Sequence, residues 1–160
     1  MKIYDKKNIL MATVILISVL ALVLALTYQS QAKAKNNYAI ASWEGDSILL
    51  ARLISGEAAS EPYSGQVAVG AVILNRVEDP KFPPTIADVV FQPDAFESVS
   101  NGQIWANPPA RSHIEAAQQA LNGWDPTYGC TFFWNPYKKV HPWIWTRRII
   151  TQLGNHVFGK

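Results

Sequence analysis

A glutamate ends the apolar stripe that the sequence predicts for its first globular helix. Leu49, Leu53 and Glu57 are spaced by four residues, so a helix places them on one face. A carboxyl group beside an apolar core keeps its proton more readily, because desolvation disfavours the charged form. Such a group can donate a proton to a leaving oxygen, as cleavage of a glycosidic bond requires. Periodicity alone leaves two other roles open, pairing with Arg52 or Arg76 and exposure to water.

A second carboxylate, Glu61, follows Glu57 by four residues and comes directly before Pro62. If the helix continued, both carboxylates would share one face and could divide the acid and base roles. Pro62 disfavours that continuation, because a proline restricts the residue before it to extended conformations. The sequence therefore leaves Glu61 either as a functional partner of Glu57 or as a structural carboxylate at a helix end.

Metal and thiol chemistry find little support in the sequence. The three histidines, His113, His141 and His156, do not have zinc-site spacing such as His-Glu-x-x-His. Cys130 is the single cysteine, and it lies beside an aromatic segment, where a buried thiol is more common than a nucleophile. We therefore predict no metal site and no cofactor.

The charge of the chain is distributed unevenly. The whole sequence carries a formal charge of +2, but from Lys35 onward it has 10 basic and 11 acidic residues. Domains that bind nucleic acid generally carry a basic patch. The composition therefore argues against nucleic acid as a partner and favours a neutral or weakly charged polymer.

An apolar segment at residues 9–26 follows three lysines and contains only two polar residues, Thr13 and Ser18. Its 18 residues are enough for a membrane-spanning helix, and the lysines before it favour a cytoplasmic N-terminus. A cleaved signal peptide is the alternative, with Ala32-Lys33-Ala34 as a small-x-small site. We predict an anchor or signal segment at 1–28, a polar linker at 29–45 and a folded domain at 46–160, which lies outside the cytoplasm in either case.

Helices dominate the first part of the predicted domain. Asp46 or Ser47 can cap a helix over 48–59, and a second helix over 66–77 is apolar nearly all round, which indicates a buried position. Thr85 and Asp88 resemble a capping box that begins a short helix over 86–91. The segment 92–109 is predicted to be mostly irregular, and a fourth helix over 111–121 ends at an Asn-Gly pair.

Strands are predicted only towards the C-terminus. The segments 131–134, 143–145 and 148–153 have strand-like composition, Asn135-Pro136 stops the first, and Gly154-Asn155 is suited to a turn. Helices followed by a small antiparallel sheet indicate an α+β fold, with a membrane helix at the N-terminus.

Six segments of the predicted domain carry recognisable motifs: 55–77 (SGEAASEPYSGQVAVGAVILNRV), 82–86 (FPPTI), 92–105 (QPDAFESVSNGQIW), 120–126 (ALNGWDP), 133–136 (FWNP) and 149–158 (IITQLGNHVF). Together they resemble the cell wall hydrolase family that includes the spore cortex-lytic enzymes of the SleB and CwlJ type. The resemblance covers nearly all of the chain from Ser47 onward, in order and at ordinary spacing.

The resemblance implies an enzyme that acts on peptidoglycan glycan strands, as a lytic transglycosylase between N-acetylmuramic acid and N-acetylglucosamine. It also implies a helical subdomain like that of lysozyme and the transglycosylases, with Glu57 as the catalytic glutamate. The substrate-binding residues that we then expect are Ser98, Asn135, Glu61, Tyr63, Trp105, Trp134 and His156.

Two other functions stay open at this point: a wall-binding protein without catalysis and a metal-dependent amidase that acts on the peptide stems. Hydrolysis in place of transglycosylation is also open, and so is the choice between vegetative wall and spore cortex. The sequence gives no indication of an accessory protein. Some relatives carry a separate peptidoglycan-binding domain, whereas a membrane segment and a linker precede the predicted domain here.

Overall fold

The structure is a computed structural model that describes residues 5–160, apart from the side chains of Lys7 and residues 38–42. It contains two compact units, Met1–Trp43 and Glu44–Lys160. The prediction about the lysine at position 2 lies outside the described residues.

Helix α1 spans Lys6–Ala58 and supplies nearly all of the described part of the first unit. Its segment Asn8–Asn37 is long and apolar enough to cross a membrane, with a mean hydropathy of 3.0. A signal sequence near the N-terminus has the same properties, so anchor and signal peptide both stay predictions.

The predicted linker and the cap at Asp46 or Ser47 are not breaks in the helix. Helix α1 continues through 29–45 to Ala58, so the prediction of a helix start at Ile48 was wrong. The segment is rich in alanine, glutamine and lysine, which are good helix formers, and it contains no proline. Gly45 is its only glycine, and one glycine in a helix costs only about 1 kcal/mol.

Helix α2, Tyr63–Glu78, forms the centre of the second unit, where most of its residues are buried as predicted. It begins three residues earlier than expected, directly after Pro62, whose φ of −58° suits a helix start. It packs against helix α6, Arg111–Leu121, whose bounds agree with the prediction. A Cβ on Gly70 would lie 3.1 Å from the Ala120 Cβ, so the glycine permits this close approach.

Short helices fill the region between α2 and α6. Helix α3 spans Ile86–Val90. Thr85 caps it as predicted, because its hydroxyl accepts a hydrogen bond from the Asp88 amide. The segment predicted as irregular contains two further turns of helix, α4 at Glu97–Ser100 and α5 at Gln103–Ala106. Single turns of this kind are too short to show an apolar period in the sequence.

The sheet has three antiparallel strands in the order β1-β3-β2, with β1 at Phe132–Trp134, β2 at Ile149–Leu153 and β3 at His156–Gly159. The predicted turn at Gly154-Asn155 joins β2 to β3. The predicted strand at 143–145 was wrong, because Pro142–Thr146 is a 3₁₀ helix. Pro142 at its first turn cannot donate to a sheet ladder, and the His141 side chain caps this helix.

The core lies between α1, α2, α6 and the inner face of the sheet, and Leu50, Val69 and Phe158 are completely buried in it. A looped segment beside the core is held by Asp125, which accepts hydrogen bonds from the Thr127 and Gly129 amides at 2.7 and 2.6 Å. Burial opposes the charge of Asp125, but hydrogen bonds outweigh that effect and keep its pKa below the usual value.

The same loop buries the single thiol of the chain. The Cys130 Sγ lies 3.1 Å from the Thr127 carbonyl oxygen, and the Asn75 side chain on α2 donates to the Cys130 carbonyl at 2.9 Å. Burial raises the pKa of the Cys130 thiol. The cysteine therefore belongs to the packed core rather than to a reactive site.

Candidate active site

Glu57 lies one residue before the end of α1 and is half-buried. The Ser98 amide at the start of α4 donates a hydrogen bond of 2.9 Å to Glu57 Oε1. Within residues 5–160, Glu57 Oε2 makes no hydrogen bond, and neither Arg52 nor Arg76 forms an ion pair with the carboxylate. One oxygen is therefore fixed by the protein, and the other remains available to a substrate.

Gly56 permits the contact between α1 and α4. A Cβ at this position would lie 2.5 Å from the Ser98 Cβ and 2.6 Å from its Oγ, which is closer than such atoms approach. Ser98 itself is 1% exposed, and its hydroxyl has no partner among the described residues. The absence of a side chain at Gly56 thus allows the Ser98 amide to reach Glu57.

A cleft of about 410 Å³ opens in front of Glu57. We call it the Glu57 cleft. One wall comes from the end of α1 and from α4, and the opposite wall comes from β1, the loop after it and β3. Its lining includes Glu57, Arg76, Glu97, Ser98, Trp134, Asn135 and His156.

Two of the predicted residues, Trp134 and Asn135, lie on the sheet side of the cleft. The Asn135 Oδ1 accepts a hydrogen bond of 2.9 Å from the Tyr137 amide, so this side chain also forms the turn after β1. Trp134 is 5% exposed and packs edge-to-face against Trp145, with ring centroids 5.7 Å apart. The Trp134 indole nitrogen has no hydrogen-bond partner within the described chain.

His156 also lines the cleft, from the first position of β3. Burial lowers the pKa of His156 below its ordinary value, against the weaker opposing effects of the Glu61 and Glu57 carboxylates. Its Nδ1 lies 3.9 Å from Glu61 Oε1, a separation that joins two charged groups only when the imidazole is protonated. Since the pKa is lowered, we treat His156 as neutral at neutral pH.

Glu61 is buried and faces the turn between β2 and β3, and it does not line the Glu57 cleft. Its Oε2 accepts a hydrogen bond of 2.8 Å from the Asn155 amide, and its Oε1 accepts one of 3.1 Å from the Asn155 side chain. Both oxygens are thus engaged by one residue of the turn. A Cβ on Gly154 would collide with this carboxylate, which explains why a glycine precedes Asn155.

The structure places two predicted aromatic residues outside the cleft. Trp105 on α5 is 57% exposed and stacks on Phe91, with the Arg52 guanidinium 5.2 Å from its ring centre. Tyr63 begins α2 and packs against Trp124 at 6.1 Å. Neither side chain contributes to the cleft in front of Glu57.

Arg76 lines the cleft, although sequence reasoning considered it only as a partner for Glu57. It lies on α2 and is 8% exposed, and its Nε donates a hydrogen bond of 2.7 Å to the Thr131 carbonyl. Burial lowers the pKa of Arg76 to about 10, so the guanidinium stays charged at neutral pH. The signal that could have found it is a charged residue one helical turn after the apolar residues Val72 and Ile73 of a helix that is predicted to be buried.

Metal ligation has no obvious location in the described part of the chain. Among residues 5–160, no three His, Cys, Asp or Glu side chains are grouped closely enough to hold a metal ion. The polar side chains that line the Glu57 cleft carry carboxylate, hydroxyl, amide, imidazole, ammonium and guanidinium groups.

A helical layer and a three-stranded sheet on either side of a half-buried glutamate define the class of protein: a small domain with an acid whose second oxygen is free in an open cleft. The chain belongs to the cell wall hydrolase family, whose model matches residues 60–159. That match begins three residues after Glu57, so the role of this glutamate stays a prediction.

Curated relatives in the same family agree with this assignment. The chain is 47% identical over 117 residues to the spore cortex-lytic enzyme of Oceanobacillus iheyensis, covering 73% of this chain and 42% of the relative. It is 44% identical over 133 residues to the spore cortex-lytic enzyme of Bacillus subtilis, covering 79% and 43%. The chain thus spans less than half the length of these relatives.

Two solved structures share the fold. The catalytic domain of the Bacillus cereus SleB protein has a TM-score of 0.68 and 45% identity, covering 73% of this chain and 91% of that domain. The catalytic domain of the germination-specific lytic transglycosylase SleB from Bacillus anthracis gives the same TM-score and identity, covering 72% and 93%. These matches confirm the mostly helical fold with a small antiparallel sheet.

Proposed function

We propose that this chain cleaves the glycan strands of bacterial peptidoglycan as a lytic transglycosylase, between N-acetylmuramic acid and N-acetylglucosamine. The observation that carries the proposal is the Glu57 carboxyl group in an open cleft, with Oε1 held by the Ser98 amide and Oε2 free. The Bacillus anthracis relative is a germination-specific lytic transglycosylase, which supports the same reaction.

In this mechanism, protonated Glu57 donates its proton from Oε2 to the glycosidic oxygen as the bond to C1 of the muramic residue breaks. The sugar passes through an oxocarbenium-like state. The Glu57 carboxylate then takes the proton from the C6 hydroxyl of the same muramic residue, whose oxygen bonds to C1. The product carries a 1,6-anhydro end, no water is consumed, and Glu57 regains its proton.

The residues around the cleft have proposed roles that follow from their positions. The Ser98 amide fixes the orientation of the Glu57 carboxyl group, and the Asn135 amide and the His156 imidazole offer polar contacts to the sugars. Trp134 provides part of the sheet-side wall. We assign Glu61 to the β2–β3 turn, and we do not place Tyr63 or Trp105 in contact with the scissile bond.

Hydrolysis is the second candidate, because one more carboxylate lines the same cleft. Glu97 on α4 is exposed there, one residue from the Ser98 amide that binds Glu57. A glycosidase that releases reducing ends commonly divides its chemistry between two carboxylates. Glu97 is the candidate for the second carboxylate because it lines the cleft and is exposed there, whereas both oxygens of Glu61 are engaged in its turn.

We further propose that the enzyme acts outside the cytoplasm, tethered by or exported through the apolar segment at 9–26. The helix Asn8–Asn37 is suited to crossing a membrane. The names of the relatives favour spore cortex as the substrate, and the predicted membrane tether is compatible with wall remodelling in growing cells as well.

The test is mass spectrometry of muropeptides released from purified peptidoglycan by the full-length chain in mild detergent. Products lighter than reducing muropeptides by one water molecule establish transglycosylation, whereas reducing muramic ends establish hydrolysis and direct attention to Glu97→Gln. We expect no release with Glu57→Gln and normal release with the control Glu78→Gln, which changes an exposed carboxylate at the end of α2. Retention on the wall without any product, or free stem peptides, would replace the proposal with a binding protein or an amidase.

A further inference from the structure

A second, smaller hollow adjoins the Glu57 cleft and has a volume of about 290 Å³. Three residues, Arg76, Ala95 and Phe133, line both spaces. The hollow is otherwise lined by aromatic rings and by the loop after α3, including Phe82, Phe132, Trp143, Gln92 and Asp94. We call it the aromatic hollow. These three residues therefore form the boundary between the cleft and the aromatic hollow.

Arg76 is an uncompensated buried cation at the junction of the two spaces. Within residues 5–160 no carboxylate lies within ion-pair distance of it, and its one hydrogen bond is from Nε to the Thr131 carbonyl. Its guanidinium lies 5.2, 5.2 and 5.6 Å from the ring centres of Phe82, Phe96 and Phe132. Burial lowers its pKa, which reports a charge that the protein desolvates without supplying a counter-charge.

The chemistry of the Arg76 guanidinium indicates which kind of ligand group would bind beside it. A buried charge is costly unless it is paired, and the planar fork of arginine matches the two oxygens of a carboxylate. Three aromatic rings lie within 5.6 Å of the guanidinium, and the low local dielectric that they create strengthens such a pair. Asp94 also lines the hollow, but it is exposed at the rim, whereas Arg76 is 92% shielded.

We propose that Arg76 and the aromatic hollow form a subsite for a carboxylate of the substrate, carried by a substituent of the sugar that occupies the Glu57 cleft. This inference rests on the proposed function, because it names a further contact of the same polymer. Peptidoglycan offers two sources of this group: the lactyl carboxylate of a muramic residue without a peptide, and the carboxylates of an attached peptide stem.

Binding is measured first, with the Glu57→Gln chain so that cleavage plays no part. The probes are soluble glycan strands freed of stems and strands that keep them, each with free carboxylates or with the same groups converted to methylamides. Calorimetry is expected to show that one free-carboxylate probe binds about tenfold more tightly, or better, than its methylamide, because amidation removes a charge-assisted pair. The probe that shows the difference identifies the source.

Arg76→Gln in the same background is expected to abolish that preference, with little change for the amidated strands. The matched control is Arg52→Gln, which removes a guanidinium that also packs on an aromatic ring and donates to backbone carbonyls, but outside both spaces. That control should keep the preference.

A second variant guards against misfolding of Arg76→Gln. Gln92 is exposed on the aromatic hollow, so Gln92→Glu adds a negative charge there without disturbing the core. We expect it to weaken binding of the free-carboxylate probe and leave the amidated probe unchanged, while the exposed Gln119→Glu on α6 has no effect.

The cleavage assay separates this inference from the proposed function. With Glu57 intact, Arg76→Gln should raise KM for the free-carboxylate strands by about tenfold and leave kcat within a few-fold. If wild-type protein shows no carboxylate preference, or if Gln92→Glu does not reduce it, the subsite is wrong although cleavage stands. If cleavage is absent but the preference depends on Arg76, the subsite stands and the reaction is wrong.

Discussion

Glu57 and Glu61 are the same residue type one helical turn apart in sequence, and the structure gives them opposite surroundings. Glu61 is buried and has both oxygens engaged by Asn155, whereas Glu57 is half-buried with one oxygen bound by the Ser98 amide. Saturated hydrogen bonding makes a carboxylate a structural group. An unsaturated carboxylate in an open cleft can transfer a proton, so the number of free oxygens distinguishes the two roles.

The largest expected effect is the loss of activity in Glu57→Gln. Its amide cannot donate and retrieve a proton as a carboxyl group does, so we expect muropeptide release to fall by about 10²–10⁴-fold. The amide oxygen can still accept from the Ser98 amide, so unfolding free energy should change by less than about 1 kcal/mol. Turnover and chemical denaturation are measured on the same sample; full activity would remove Glu57 from the mechanism.

Gly56→Ala tests whether the position of Ser98 controls Glu57. The added methyl would overlap the Ser98 side chain, so α4 must shift. We expect activity to fall by about 10²-fold, as small misplacements of catalytic groups can do, and stability to fall by about 1–3 kcal/mol. Gly45→Ala adds a methyl in open space on α1 and is the control, which should leave activity unchanged.

Glu61→Gln should lower stability and keep activity, which is the opposite of the effect expected for Glu57→Gln. The amide cannot accept both hydrogen bonds from Asn155, and its NH₂ group opposes a donor, so we expect a loss of about 1–3 kcal/mol in unfolding free energy. The kcat of the remaining folded protein should stay within a few-fold of wild type. Thermal denaturation beside the muropeptide assay checks this; a loss of kcat with unchanged stability would place Glu61 in the chemistry.

The smallest expected effect concerns pH and His156. Its folded-state pKa is lowered by burial, so the unfolded chain binds the proton more readily. Stability is therefore complete above the ordinary histidine pKa of 6.5 and declines as pH falls below it. His156→Phe keeps a ring between Phe133 and Phe158 and should flatten this part of the stability curve, whereas the exposed His141→Gln should not. A decline that persists in His156→Phe would assign it to another group.

The elements with clear local signals could be predicted from the sequence. The Thr85 cap, the α6 bounds and the Gly154-Asn155 turn follow from neighbouring residues alone. The continuation of α1 was missed, because a polar segment without an apolar period was interpreted as a linker although its residues favour helix. The 3₁₀ helix at Pro142–Thr146 was missed because its aromatic residues suggested a strand.

The site could be predicted less completely than the fold. Periodicity indicates that Glu57 is at the edge of the core, but it cannot show which oxygen is free or that Ser98 supplies the amide. Aromatic composition alone did not separate Trp134, which lines the cleft, from Trp105, which does not. Long-range contacts decide both questions, and Arg76 acquires its position only when α2 meets β1.

The buried Cys130 makes the opening of its loop directly observable. It is the only thiol in the chain, it is completely inaccessible, and hydrogen bonds from Asn75 and within the 125–130 loop surround it. A thiol-specific reagent can modify it only while this region is open. The rate at which Cys130 is labelled therefore measures how often this region opens locally, and it can be determined in each variant without introducing a probe.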